Sequence, residues 1–141
     1  MPAKSQPFSV RLPARLDARI SALARQTRRS KAAVLESLAD EADRCRRYPG
    51  IAFRGSDWAR RPWVIGTGLD VWEVVRALQD FGGDVEAMAR QTDLSAHQVS
   101  LAAAYRAEFP DEVDAAVAAD RRSPDELRHD YPFIRHLAVD G

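Results

Sequence analysis

Three histidines and one cysteine are the side chains of this 141-residue chain best suited to metal binding or catalysis, and their spacing supports neither. His97, His129 and His136 lie far apart, with no His-x-x-x-His pair of the kind that holds a metal ion on one helix face. Cys45 falls beside Arg44 and Arg46 at a helix end, where positive charge is expected to lower a thiol pKa, but no base partner is evident. No glycine-rich phosphate loop and no nucleophile elbow occurs. The chain therefore reads as a non-enzyme, with no cofactor and no metal. The residues that do form a chemical pattern are basic. Ser9 and Arg11 alternate with Phe8, Val10 and Leu12, and Arg28-Arg29-Ser30-Lys31 stands where a helix opens. Ser30 is a good N-cap, and a helix N-terminus favours an anion, so this second group suits phosphate.

The elements that must carry these groups are short. The alternation in Phe8-Ser9-Val10-Arg11-Leu12 predicts a strand. A helix over residues 13–26 follows, with Pro13 in its first turn and Leu16, Ile20 and Leu23 as the buried stripe. A second helix over residues 31–46 places Val34, Leu35, Leu38 and Ala42 inside, and Tyr48-Pro49-Gly50 breaks it. One strand and two helices bury too little surface to stand alone, and an unpaired strand edge is a liability. A two-fold homodimer solves both problems by pairing strand with strand and merging four helices. The outer face of the resulting ribbon carries Ser9 and Arg11, and a two-stranded ribbon fits the DNA major groove.

Charge is divided along the chain. Residues 1–47 hold eleven basic and five acidic residues, a net of +6, and the remainder holds ten basic and sixteen acidic, a net of −6. Such a split suggests two different partners, phosphate for the basic part and something else for the acidic part. With one cysteine there is no disulfide framework, and no apolar run reaches membrane-spanning length. The first residues lack the apolar core of a secretory signal. The expected location is the cytoplasm, with no membrane partner.

Beyond residue 47 the expectation is a small hairpin followed by helices. Ile51-Ala52-Phe53 and Trp63-Val64-Ile65 are the strands, and Gly55-Ser56-Asp57 starts the turn. Gly66-Thr67-Gly68 leads into a helix that Asp70 and Glu73 cap together and Gly82-Gly83 stops. Asp84 caps a short helix, Ser95 with Gln98 opens another, and one more covers residues 111–120. Trp63 and Trp72 read as core, whereas Trp58 sits in the turn and is an interface candidate. The tail sets Arg121, Arg122, Arg128 and Arg135 around Tyr131-Pro132-Phe133-Ile134. It either packs on its own domain or folds onto a partner. The fold class is mainly α, with a short N-terminal ribbon strand and a small β-hairpin. The divisions are 1–47, 48–120 and 121–141.

Residues 6–47 resemble the ribbon-helix-helix family of bacterial repressors and antitoxins. The resemblance implies base-edge contacts from Ser9 and Arg11, with Pro7 or Gln6 at the strand's start, and a phosphate clamp at Ser30 and Lys31. Arg28 and Arg29 join that clamp by position. Residues 48–117 resemble the antitoxin-like family known as uncharacterised domain 433, through Pro62-x-x-x-Gly66-Thr67 and Leu94 to Tyr105. Its usual Gly-Thr-Arg stands here as Gly-Thr-Gly, which removes any role of that arginine at Gly68. The helices from Val71 to Ala107 resemble a helix-turn-helix arrangement. Residues 84–120, however, hold eight acidic residues against Arg90 and Arg106, which disfavours DNA and favours protein binding or dimer formation. Together the resemblances imply a VapB-type antitoxin of a type II toxin–antitoxin system. Its partners would be operator DNA, a PIN-like ribonuclease toxin and a second copy of itself. Toxin contact would fall to Trp58 and to Arg128, Tyr131, Phe133, Ile134 and Arg135, because a guanidinium suits a nuclease's carboxylate cluster. The alternative is a stand-alone ribbon-helix-helix regulator whose second domain senses a ligand or sets oligomer state.

Overall fold

The computed structural model describes residues 5–120. Pro13 precedes helix α1 (Ala14–Thr27), whose acidic first-turn residue is Asp17. Ser30 caps helix α2 (Lys31–Arg47) by accepting the Ala33 N–H at 3.0 Å. These two helices pack on a four-residue core of Ile20, Leu23, Ala24 and Val34, with Leu12 and Leu35 at its edge. The predicted helix limits hold to within a residue. The predicted burial holds within the single chain for Ile20, Leu23 and Val34, but Leu16 is 41% exposed, Leu38 is 37% exposed and Ala42 lies open. Two helices meet along one seam only, so the second apolar flank of each is left facing solvent. Phe8 to Leu12 joins no sheet in the single chain, and Phe8 and Val10 stay 87% and 54% exposed. A lone strand has no ladder partner here, so the alternation of its side chains has nothing to pack against.

After Tyr48, strands β1 (Ile51–Arg54), β2 (Arg61–Val64) and β3 (Leu69–Asp70) form an antiparallel sheet in sequence order. Ile51 faces Val64 and Arg54 faces Arg61 across the hairpin. Pro62 is accommodated in the middle strand because β3 pairs only with Trp63 and Val64. No residue pattern announces β3, since a two-residue strand has no period to read. The turn that creates it is visible in the structure. Gly66 and Gly68 take φ of +88° and +71°, and the Thr67 hydroxyl donates to the Val64 carbonyl and accepts the Leu69 N–H. Helices α3 (Val71–Asp80), α4 (Val85–Gln91), α5 (Ala96–Glu108) and α6 (Pro110–Ala119) complete the described chain. Capping boxes at Asp70/Glu73 and Ser95/Gln98 start α3 and α5 as predicted.

The sheet and these four helices share a second core of Ile51, Val64, Val71, Val74, Val75, Met88, Val99, Ala102, Tyr105 and Val113. The described molecule is thus mainly helical with one small antiparallel sheet. Its two apolar clusters lie on either side of Tyr48-Pro49-Gly50. No helix among the described residues is long and apolar enough to cross a membrane.

Candidate nucleic-acid interface

The residues predicted to meet DNA occupy two adjoining surfaces. Pro7, Ser9 and Arg11 are exposed on the arm before α1, and Arg28, Arg29, Ser30 and Lys31 are exposed on the turn between α1 and α2. The arm reaches the start of α2. Val10 and Leu12 line a shallow depression of about 200 Å³ together with Asp17, Ile20, Lys31 and Leu35. The structure therefore brings the predicted base-reading segment beside the predicted phosphate clamp.

The turn is built to hold its shape. The Thr27 hydroxyl, 2% exposed, donates to the Leu23 carbonyl at 2.6 Å. It also accepts from Arg29 Nε at 3.3 Å, while Arg29 Nη1 donates to Ser37 Oγ at 2.9 Å. The Arg29 side chain is thereby laid along the start of α2. Lys31 Nζ donates to Asp17 Oδ1 at 2.5 Å, with both side chains about half exposed. Such an exposed pair contributes little stability. Arg28 ends α1 at φ +53°, ψ +39°, and the Arg29 N–H reaches back to the Ala24 carbonyl. That backbone geometry normally takes glycine or asparagine. Here it carries a cation.

The end of α2 holds a cluster that the sequence did not signal. Arg44 Nη1 donates to the Tyr105 hydroxyl at 2.8 Å and to Glu112 Oε1 at 2.5 Å. The Tyr105 hydroxyl in turn donates to Glu112 at 2.9 Å. The Arg44 guanidinium lies 3.8 Å from the Phe109 ring centroid, and Tyr105 and Phe109 rings are 4.8 Å apart. Its Nε is buried without a hydrogen bond, although Asp40 Oδ2 stands 3.1 Å away as an ion-pair partner. Burial opposes the Arg44 charge, but the Tyr105 hydrogen bond and the Glu112 and Asp40 carboxylates outweigh it and push the pKa up. Burial, reinforced by the Glu112 charge, drives the Tyr105 phenol well above its ordinary value, so it stays neutral. Next to this cluster, Arg47 and the Tyr48 hydroxyl both donate to Glu108. A period-based reading places Arg44 and Arg47 on a solvated face.

Two further arginines converge on a single acid. Asp70 is 4% exposed and accepts from Arg54 Nε at 2.9 Å and Arg61 Nε at 2.7 Å while it caps α3. Both arginines are thus spent on fastening the sheet to the helix. The start of α5 offers exposed His97 and Ser100, but the Gln98 side chain is used in the capping box. Trp58 is 67% exposed on the β1–β2 loop. It lines a groove of about 690 Å³ that faces α1 and α2.

Cys45 departs from expectation. Burial, then the Glu41 carboxylate, pushes its thiol up, against a smaller lowering by Arg60. The neighbouring Arg44 is turned toward Tyr105 and Glu112, so its charge does not serve the thiol. No group of three or more metal-ligating side chains occurs among the described residues. Arg128, Tyr131, Phe133, Ile134 and Arg135, with His129 and His136, lie outside the described residues. Comparison with family models, curated proteins and solved structures finds no match.

Proposed function

We propose that this chain is a type II antitoxin: a ribbon-helix-helix homodimer that binds operator DNA and represses its own operon, joined to a helix-turn-helix-like unit that neutralises a PIN-like ribonuclease. The observation that carries the DNA-binding part is the meeting of the arm and the α1–α2 turn. Val10 and Leu12, the neighbours of Ser9 and Arg11, line one depression with Lys31, on a small basic unit with unburied apolar flanks. Ser9 and Arg11 take the base edges, and the turn takes phosphate. The antitoxin part rests on the resemblance of residues 48–117 and on the acidic charge of that half. A stand-alone regulator is the second reading. It is favoured by the pairing of Glu108, Glu112 and Asp114 with arginines of the same chain, which leaves these carboxylates already satisfied.

Tagged protein captured from its native host, with bound proteins identified by mass spectrometry, separates the two. A small PIN-like nuclease in the eluate supports the antitoxin. Self-dimers and DNA alone favour the regulator. For the DNA part, Arg11→Ala should cost about 1–3 kcal/mol on the operator and relax sequence preference. Equal loss on random DNA would reduce Arg11 to a phosphate contact.

A further inference from the structure

The groove beside Trp58 is shared by the two halves of the chain. Leu16 and Leu38 come from α1 and α2, and Phe53 and Trp58 come from the hairpin. The loop that carries Trp58 is pinned in place. Arg60 donates to the Phe53 and Gly55 carbonyls and to Glu41 of α2 at 2.8 Å. Gly55, at φ +105°, has no room for a Cβ, which would meet the Ala59 carbonyl oxygen at 2.4 Å. The ends of the loop are therefore held in place, and its exposed tryptophan stands on the flank of the same helices that leave Leu16 and Leu38 uncovered. Tryptophan has only two side-chain torsions to lose and a large apolar area to bury, which makes it a good interface anchor.

We propose that the β1–β2 loop belongs to the homodimer interface, with Trp58 packing against α1 and α2 of a second copy. The second half of the chain thus helps hold the dimer together. This rests on the dimer reading given above. Charge selects a second copy over another partner. The rim of the groove carries both signs, Arg19 with Asp57, and a two-fold contact needs a self-complementary surface. A uniformly charged partner would meet repulsion on one side. Area points the same way. A stable interface buries about 800 Å² per partner, and a tryptophan supplies roughly 150–250 Å², so Trp58 is a large share of what the small N-terminal unit lacks.

Sedimentation equilibrium of the full chain tests this. Trp58→Ser lies on an exposed loop and should leave the fold intact by circular dichroism. It should raise the dimer dissociation constant by about tenfold or more. Leu38→Asp serves as the reference, because it strikes the dimer through α2 alone. If the wild type is dimeric and Leu38→Asp dissociates it while Trp58→Ser does not, the loop is outside the interface and the proposal fails, with the dimer reading intact. A wild-type chain that stays monomeric at every concentration overturns both. Unchanged dimerisation with weakened capture of a host protein would assign Trp58 to a different partner, again against the proposal.

Discussion

The two halves of this molecule solve the burial problem in opposite ways. Residues 51–119 enclose their own core: Val71, Val74, Val99, Ala102 and Tyr105 are fully buried, and a three-stranded sheet closes one side. Residues 5–47 enclose four core residues and leave Phe8, Val10, Leu16 and Leu38 in solvent. The difference teaches where each half draws its stability. The second half carries it within one chain, and the first leaves apolar surface that the proposed dimer would cover. Charge follows the same line. The acids of α5 and α6 are largely consumed by arginines of the chain, whereas the cations of the arm and the α1–α2 turn are exposed, and of them Lys31 has an acidic partner, Asp17, that is itself half exposed.

The strongest way to break that comparison is to cut each half in turn. Met88 is 1% exposed in the second core, so Met88→Ala should cost about 2–5 kcal/mol. The loss should be the same at every protein concentration. Leu38→Ala should instead act through association, so its effect on thermal unfolding depends on protein concentration and fades on dilution, as the wild type too becomes monomeric. If both variants behave alike across a concentration series, the halves do not differ in the source of their stability.

The junction offers the next largest effect. Arg44 belongs to α2 but bonds to Tyr105 of the second core and to Glu112 of α6. Arg44→Met keeps the stacking on Phe109 and removes the charged hydrogen bonds, so it should cost about 1.5–3 kcal/mol. A double-mutant cycle with Glu112→Gln should show coupling. Additivity would mean that α2 is only laid against α5 and α6 rather than tied to them.

Much of this architecture was legible in the sequence. Caps and stops fixed the helices to within a residue at most ends, because Ser30, Asp70, Asp84 and Ser95 each use the side-chain chemistry that opens a helix. Three things were not legible. The two-residue β3 is too short to have a period. The flanks at Leu16 and Leu38 fit a buried stripe equally well whether the covering surface is intra- or intermolecular. The convergence of Arg44, Tyr105 and Glu112 joins positions 61 and 68 residues apart, and no local pattern encodes such a distance. For the candidate site, the residue types and the turn were readable. The αL backbone under Arg28 was not, since glycine is the usual sign of it.

That backbone gives a sharper test of the basic half. Arg28 holds φ +53° without the freedom of glycine. Arg28→Gly should raise stability by about 1 kcal/mol by relieving the strained conformation. The same change should weaken DNA binding on every sequence and reduce the slope of binding against salt by about one. A variant that is more stable and binds worse places a functional cation on a costly backbone. A variant that is more stable and binds equally well removes Arg28 from the interface.

The smallest effect lies in the acidic half and is read by pH. The Tyr48 hydroxyl first, and then Arg47, hold the Glu108 carboxyl below its usual range, and Arg106 does the same for Asp114. A carboxylate whose folded pKa is lowered contributes stability that is complete above its unfolded value, about 4.3 for Glu, and lost as pH falls through the lowered one. The molecule should therefore lose stability as it is acidified from about pH 5 toward pH 3, with part of that loss arising at the α2–α5 junction. Tyr48→Phe removes the largest single cause of the Glu108 shift. It should raise the Glu108 pKa in a carboxyl NMR titration and flatten the acid limb of the stability curve. Glu108→Gln should flatten it further and make Tyr48→Phe silent in its background. An acid limb unchanged by either substitution would mean that the junction is held by its apolar and aromatic contacts, and that the contrast between the halves is one of packing rather than of charge.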